Sequence, residues 1–317
     1  MTHTDHEQLR CFEAKIFYNE SYIAPVHSFD TTRKASWVAA ELKNKYGIDL
    51  TDPNASKDEA ERLIRLIHSK EYVEAISTGN PSNLAESQGF EWDPGVWEMA
   101  VNSTAGVIAG VHHVMDASEN GVTVNAGSLS SGLHHAGYGR GRGFCTVNGL
   151  AIGVKTAQLK LRKRTTDGTI VVLDVDAHCG GGTHSLLKQC ENVLHLDLSV
   201  NRFDSYKPAI GNELEILDSP SEKEYLSTLD ALLSKIPRDT ELLIYNAGMD
   251  PYPIIGVESL KEREETVSTW CENAGIPVVF VLAGGYLTSQ NKTELVDLHS
   301  QTVRSFSETK VAKIRAA

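Results

Sequence analysis

The chain has 317 residues, 41% of them hydrophobic, and a formal net charge of −12. These values favour a large α/β core and argue against a protein that binds nucleic acid through positive charge. No apolar stretch reaches 18 residues, so no membrane span is predicted. Residues 1–7 lack the basic and apolar regions of a signal peptide, so we expect none. Five cysteines without paired spacing lead us to expect a cytoplasmic protein.

Helical and strand-like segments alternate along the chain. Helical periodicity predicts helices at 32–46, 57–77, 95–118, 148–163, 222–235, 257–274 and 291–308. Short apolar runs predict strands at 121–125, 169–174, 193–198, 241–246 and 277–283. Helices between such strands indicate a parallel sheet covered on both faces. Since no linker or repeat interrupts the pattern, we expect a single domain over residues 1–317, with loops at 80–95 and 200–220 long enough to border a site.

The predicted strand at 169–174 ends in the most informative motif of the chain. Because side chains two apart on a strand point the same way, Asp174, Asp176 and His178 are expected to converge at its carboxyl end, where open α/β sheets bind ligands. Two carboxylates and an imidazole together favour a cation, with zinc preferred over iron or manganese. The alternative is a polar turn with a hydrogen-bonded histidine, and this motif alone does not decide between them.

Two further segments carry groups suited to acid–base chemistry. His134 and His135 are adjacent in a glycine-rich stretch at 131–148, and imidazole titrates near neutral pH. After the predicted strand at 277–283, Tyr286 could donate its hydroxyl to a substrate oxygen. Taken alone, Tyr286 is better explained as an ordinary turn residue.

Taken in order, these motifs resemble the histone deacetylase family, which includes acetylpolyamine amidohydrolases and acetoin-utilisation-type deacetylases. The similar segments are Gly132-Leu-His-His-Ala136, Gly143-Phe-Cys-Thr-Val-Asn148, Asp174 to Thr183 and Gly284-Gly-Tyr286, with shorter matches at 68–73 and 94–98. The resemblance implies an arginase/deacetylase-like α/β fold, a mostly parallel sheet of about eight strands flanked by helices on both faces. It places the site in loops following residues 125, 174, 246 and 283.

The resemblance also implies an activity, that of a zinc-dependent amidohydrolase removing an acyl group, expected to be acetyl, from an amine. The implied substrate is a small-molecule N-acyl amine or an acylated lysine side chain. His135 is then the base for the attacking water, His134 stabilises charge beside it, and Tyr286 donates to the oxyanion. Gly143 and Phe144 are expected to line the substrate channel.

The implied metal sites include positions where the chain departs from the family pattern. Asp176 and His178 match two zinc ligands, whereas Asp174 and Asp197 are candidate ligands for potassium. Gly181 stands where the family usually has an Asp or Asn that supports the second histidine, so we expect His135 to lack that support. Cys179 replaces a common histidine and is expected to point away from the metal and serve packing.

The third zinc ligand shows the largest departure. In the late segment at 247–256, an ungapped match puts Ile255 at the ligand position, and isoleucine cannot bind a metal. The nearby carboxylates are Asp250 and, further on, Glu258. We predict that Asp250 is a relocated third ligand because it closely follows a predicted strand, although two prolines restrict its loop.

Two main functions stay open, an amidohydrolase and a non-catalytic or metal-deficient relative that acts as a binding or structural protein. The retained histidine pair and Tyr286 favour the enzyme, whereas the altered third ligand favours the second. A ureohydrolase with two manganese ions shares the fold but needs additional Asp ligands that these motifs do not supply. The sequence identifies neither the acyl group, nor the amine, nor the oligomeric state.

Overall fold

The computed structural model describes residues 14–23, 30–164 and 168–307, without the side chains of residues 30–32. The strands are β1 (Lys15–Phe17), β2 (Leu50–Thr51), β3 (Ala126–Ser128), β4 (Thr169–Asp174), β5 (Val193–Ser199), β6 (Glu213–Ile216), β7 (Thr240–Gly248) and β8 (Val278–Ala283). The helices are α1 (Asp30–Tyr46), α2 (Lys57–Ile67), α3 (Lys70–Thr78), α4 (Ser82–Ala85), α5 (Gly95–Glu119), α6 (Gly149–Arg164), α7 (Gly181–Leu187), α8 (Glu222–Leu233), α9 (Val257–Ala274) and α10 (Lys292–Ser307). Residues 1–7 and residue 308, which entered the predictions, lie outside the described part.

The eight described strands form one sheet in the order β2-β1-β3-β8-β7-β4-β5-β6, and all neighbours are parallel. This confirms the predicted fold class. The sheet places the carboxyl ends of β3, β8, β7, β4 and β5 side by side, so residues following these strands can meet at one edge. Within the described ranges, no helix is both long and apolar enough to cross a membrane.

Alternating side chains of the central strands build two hydrophobic cores, one on each face of the sheet. Along β4, Val171 and Leu173 pack into a core that also receives α1, α8, α9 and α10. Ile170 and Val172 point the other way, into a core formed with α5 and α6. This period of two explains why the apolar run of β4 is continuous, since both faces are covered by helices.

Several predicted elements differ from those observed. The helix predicted at 57–77 is two helices, because His68 adopts an extended backbone and Ser69 caps α3 through its side chain. The strand predicted at 121–125 begins at Ala126 instead. The loop predicted at 200–220 contains the half-buried strand β6. Helix α7 was not predicted, because its glycine-rich start shows no helical periodicity.

His68 fixes the glycine-rich loop to the start of α6. Its Nδ1 donates to the carbonyl of Gly137 (2.8 Å), and its Nε2 accepts from the backbone N–H of Asn148 (3.0 Å). Burial lowers the pKa of His68 from 6.5 to about 4, because the charged form loses its hydration. The unfolded chain therefore takes up this proton first, so the stability contributed by His68 is complete above pH 6.5 and is lost as the pH falls towards 4.

We expect the free energy of unfolding to fall by about 2 kcal/mol between pH 7 and pH 5 through His68 alone. His68→Gln should remove this part of the decline, as measured by urea unfolding at each pH. His112→Gln on α5 is the matched control, in which the slope due to His68 persists. Identical pH slopes in the two variants would contradict the assignment.

Candidate active site

The predicted site residues gather at the carboxyl edge of the sheet. Asp174 ends β4, and Asp176 and His178 follow in the next turn. Asp250 lies two residues beyond β7, and Tyr286 lies three residues beyond β8. One small cavity is lined by residues from the turn after β4, from the segment after β8 and from the glycine-rich loop, including His134, His135, Gly143, Asp176, His178 and Tyr286.

Asp176, His178 and Asp250 form a group that could hold a metal ion, since their nitrogen and oxygen ligand atoms all lie within 4.8 Å of one another. His178 Nδ1 lies 3.2 Å from Asp176 Oδ1 and 3.1 Å from Asp250 Oδ2. Burial opposes protonation of His178, but Asp176 and Asp250 raise its pKa to about 10. The three side chains therefore form a site with a strong demand for positive charge.

Asp250 lies in this group within the short turn that follows β7. Its Oδ1 accepts from the backbone N–H of Ala177 (2.9 Å), which ties the turn after β7 to the turn after β4. Ile255, which the ungapped match puts at the ligand position, is fully buried in the hydrophobic core. Glu258, at the start of α9, has a side chain that is 90% exposed and makes no part of the group.

The two histidines are held by different carboxylates. His134 Nδ1 donates to Asp174 Oδ2 (2.8 Å), and its Nε2 lies 3.6 Å from Asp176 Oδ1. Burial disfavours the imidazolium of His134, but Asp174 and Asp176 raise its pKa to about 10. By contrast, burial and then the neighbouring His134 lower the pKa of His135 to about 4. The adjacent imidazoles, with ring centroids 3.8 Å apart, therefore have opposite charge preferences.

Position 181 supplies no carboxylate to His135, as expected, but another residue does. His135 Nδ1 lies 3.0 Å from Asp204 Oδ2, in the segment that follows β5. Gly181 opens the space for this contact, because a Cβ at that position would lie 2.8 Å from Asp204 Cγ. A carboxylate distant in sequence thus takes the place of the one that position 181 does not supply.

Aromatic rings lie at or beside the cavity, which Tyr286 lines directly. Phe144 and Tyr286 have ring centroids 6.4 Å apart. Phe203, which the sequence analysis missed, lies perpendicular to His135 with centroids 5.0 Å apart, and its position in the long loop at 200–220 was the available signal. Gly143 has φ +51°, and a Cβ there would lie 3.0 Å from atoms of both His135 and Phe203. The wall beside His135 is therefore tightly packed.

A second group of metal-binding side chains lies deeper in the sheet. Asp174, His195 and Asp197 also have ligand atoms within 4.8 Å of one another, and all three are buried. Asp197 accepts from the backbone N–H of Gly180 (2.7 Å) and the hydroxyl of Tyr206 (3.1 Å). Burial and the charge of Asp174 nevertheless raise the pKa of Asp197 to about 8. This pair of carboxylates favours a shared cation or proton.

Cys179 follows the expectation for a packing residue. It is fully buried, and its Sγ contacts the carbonyl of Asn201 at 3.4 Å. Burial raises the pKa of its thiol to about 12, so the neutral thiol is strongly favoured. Cys179 therefore contributes no ligand to the group formed by its neighbour His178.

A parallel sheet with carboxylates and imidazoles at its carboxyl edge is the architecture of arginase/deacetylase-like proteins, and comparisons with known proteins identify the family. The Histone deacetylase domain family matches residues 27–302. An uncharacterized protein of Picosynechococcus sp. is 30% identical over 250 residues, covering 75% of this chain and 79% of that protein. The chain therefore belongs to the histone deacetylase family.

The chain is also similar to two proteins whose names state an activity. Histone deacetylase 2 of Arabidopsis thaliana is 31% identical over 186 residues, which cover 55% of this chain and 46% of that protein. The crystal structure of an acetylpolyamine aminohydrolase from Burkholderia pseudomallei matches with a TM-score of 0.71, covering 93% of this chain and 98% of that chain. At 15% identity, this second match shows a common fold.

The tight wall beside His135 leads to a prediction about Gly143. We expect Gly143→Ala to lower the free energy of unfolding by about 2–4 kcal/mol, combining the left-handed backbone penalty with overpacking. Gly121→Ala is the matched control, because Gly121 also has a positive φ (+72°) but nothing within 4 Å of a Cβ, so about 1–2 kcal/mol is expected there. An equal loss of unfolding free energy in the two variants, measured with urea, would show that the residues around Gly143 move aside at no measurable cost.

Proposed function

We propose that the protein is a zinc-dependent amidohydrolase that removes an acyl group, expected to be acetyl, from an amine. The observation that carries this proposal is the grouping of Asp176, His178 and Asp250 beside a cavity that the histidine pair also lines. The non-catalytic alternative relied on a missing third ligand, and the position of Asp250 beside His178 supports the enzyme instead. Membership of the histone deacetylase family supports the same reaction.

The donor set suits zinc. One imidazole nitrogen and two carboxylate groups match the usual ligands of a catalytic zinc site, which keeps one position open. Asp250 Oδ2 is buried and makes no hydrogen bond to the part of the chain that the structure describes, although it lies 3.1 Å from His178 Nδ1, as expected for two atoms that face a common cation. When bound, zinc would lower the pKa of a water molecule and polarise the amide carbonyl.

The side chains around this group can carry the proton transfers. His135 uses Nδ1 to bind Asp204, which leaves Nε2 to take a proton from the attacking water and return it to the leaving amine. His134, held by Asp174, stabilises negative charge beside it. Tyr286 donates its hydroxyl to the oxyanion of the tetrahedral intermediate.

The substrate group that enters the site must be slender. Tyr286 lines the cavity with Phe144 beside it, and Phe203 lies against His135, another lining residue. Flat aromatic walls suit the methylene chain of an acylated lysine or of a small N-acyl amine. Both substrate classes therefore belong to the proposal.

We further propose a potassium ion at Asp174 and Asp197. Their buried carboxylates lie together with His195, whose Nε2 has no hydrogen-bond partner among the described residues. A cation there would offset the repulsion between the two carboxylates. The two-manganese alternative receives less support, because the two metal-binding groups have no residue in common.

We also propose that the whole chain, residues 1–317, forms one domain. The single sheet connects β1, close to the start of the described chain, with β8, close to its end. The core on one face combines residues of α1 and α10, so both ends of the described chain contribute to it. A unit whose core includes both ends of the described chain is expected to unfold as a whole.

Tyr286→Phe tests the reaction. We expect the wild-type protein to hydrolyse an acetylated lysine peptide or N-acetyl diamine, and the variant to lose about 10²–10³-fold in kcat, because the hydroxyl acts on the transition state. Zinc content should stay stoichiometric in both. Tyr138→Phe, at a side chain that is 62% exposed, is the control and should keep wild-type kcat. Equal kcat in Tyr286→Phe and wild type would exclude Tyr286 from the mechanism.

Asp250→Ala tests the zinc site independently of turnover. We expect this variant to lose stoichiometric zinc, measured by elemental analysis after dialysis, because one carboxylate and one neutral imidazole hold zinc weakly. Glu258→Ala removes a carboxylate of the same segment that points to solvent and should keep wild-type zinc. A wild type that takes up no zinc would favour the metal-deficient relative.

A further inference from the structure

The segment after β5 forms a cover over the histidine pair. In this segment, residues 200–206, Asn201 pairs with His178 in a parallel bridge, and the backbone N–H of Cys179 donates to the carbonyl of Phe203 (3.0 Å). Phe203 N–H in turn donates to Asn201 Oδ1 (2.8 Å). These backbone contacts fix the segment directly against the turn that carries the proposed zinc ligands.

Asp204 is the residue of this cover that enters the site. Its side chain is 9% exposed, and its Oδ2 accepts from His135 Nδ1 (3.0 Å) and from the backbone N–H of Gly182 (3.2 Å). Its Oδ1 accepts from Arg142 Nη1 (2.6 Å). The carboxylate is therefore held by donors from three separate segments, which leaves it little freedom to rotate.

The backbone of Asp204 is also unusual. Its φ of +60° lies in the left-handed region, which a residue other than glycine occupies at a cost of about 1–2 kcal/mol. Asp tolerates this region better than most residues, and such conformations concentrate where a side chain must be aimed at a site. The conformation points the carboxylate inward, whereas Phe203 beside it stays 40% exposed.

A side chain at position 181 and Asp204 in its present position cannot occupy the same space. A Cβ at Gly181, the first residue of α7, would overlap the carbonyl of Asp204 and approach its Cγ to 2.8 Å. The support for the second histidine can therefore come from position 181 or from position 204, but not from both with this backbone. In this chain the glycine makes room for the aspartate.

We propose that Asp204 is the positioning residue of His135. Its carboxylate keeps the proton on Nδ1 and turns Nε2, with its free lone pair, towards the cavity. Arg142 completes the arrangement, since its guanidinium binds Asp204 and lies 4.7 Å from the centroid of the Phe203 ring. The effect on turnover rests on the proposed amidohydrolase function, whereas the effect on the tautomer of His135 does not.

The first test reads the tautomer directly, in the zinc-loaded protein labelled with ¹⁵N-histidine. Long-range ¹H–¹⁵N correlation should show His135 protonated at Nδ1 and unprotonated at Nε2, with the signals assigned by their loss in His135→Asn. In Asp204→Ala, we expect the proton to redistribute towards Nε2. Asp204→Asn preserves the side-chain shape and one acceptor, so it should keep the wild-type tautomer. An unchanged tautomer in Asp204→Ala would overturn the proposal.

The second test separates positioning from general structure. Asp204→Ala should lower kcat by about 10–100-fold with KM within about twofold of wild type, unchanged zinc content and an unchanged fold by circular dichroism. Asp218→Ala, at an exposed carboxylate after β6, is the matched control and should keep wild-type kcat. Loss of zinc or of folded structure in both Asp204 variants would show a merely structural role and overturn the proposal.

The two proposals fail in distinguishable ways. A wild type that hydrolyses no N-acyl amine, with a tautomer that still depends on Asp204, would refute the amidohydrolase function and leave the positioning role intact. An active wild type whose kcat and His135 tautomer both survive in Asp204→Ala would refute the positioning role alone. Restoration of activity in Asp204→Ala by added formate, which Arg142 can bind, would support it further.

Discussion

Four carboxylates meet at one edge of the sheet, and much of the surrounding structure balances their charge. Asp174, Asp176 and Asp197 are buried, and the side chain of Asp250 is only 6% exposed. Burying a carboxylate without partners costs several kcal/mol, so each needs donors or a nearby positive charge. Parallel strands create this crowding, because β4, β5 and β7 all end at the same edge and each delivers acidic residues there.

The four carboxylates differ in the number of hydrogen-bond donors that they have. Asp174 accepts from His134 and from Asn246 Nδ2 (2.7 Å), and Asp197 accepts from a backbone N–H and two hydroxyls. Asp250 Oδ1 has one backbone donor, and its buried Oδ2 makes no hydrogen bond within the described residues, although His178 Nδ1 lies 3.1 Å away. Burial and the charge of Asp176 raise the pKa of Asp250, so positive charge is needed beside this carboxylate as well as between Asp174 and Asp197.

Sequence reasoning predicted those parts of the molecule whose signal is local. The apolar runs of β4, β7 and β8 and the period of two in Asp174, Asp176 and His178 are properties of consecutive residues, and the structure has these strands. The two-residue β2 and the half-buried β6 were missed because so few residues carry no periodicity. His195 was missed because it comes near the site through strand order, whereas the long loop at 200–220 was a signal for the region of Phe203 that did not single out this residue.

Gly181 shows why a departure from a family pattern does not by itself mean a lost function. Read position by position, the glycine removes a supporting carboxylate from His135, yet the geometric requirement applies to a point in space and not to a place in the chain. The neighbouring strand β5 ends beside β4, so the segment leaving it passes directly over the start of α7. With no side chain at 181 to block it, Asp204 can occupy that point. The energetic cost of this arrangement is the left-handed backbone of Asp204, and it avoids a buried histidine without a hydrogen-bond partner.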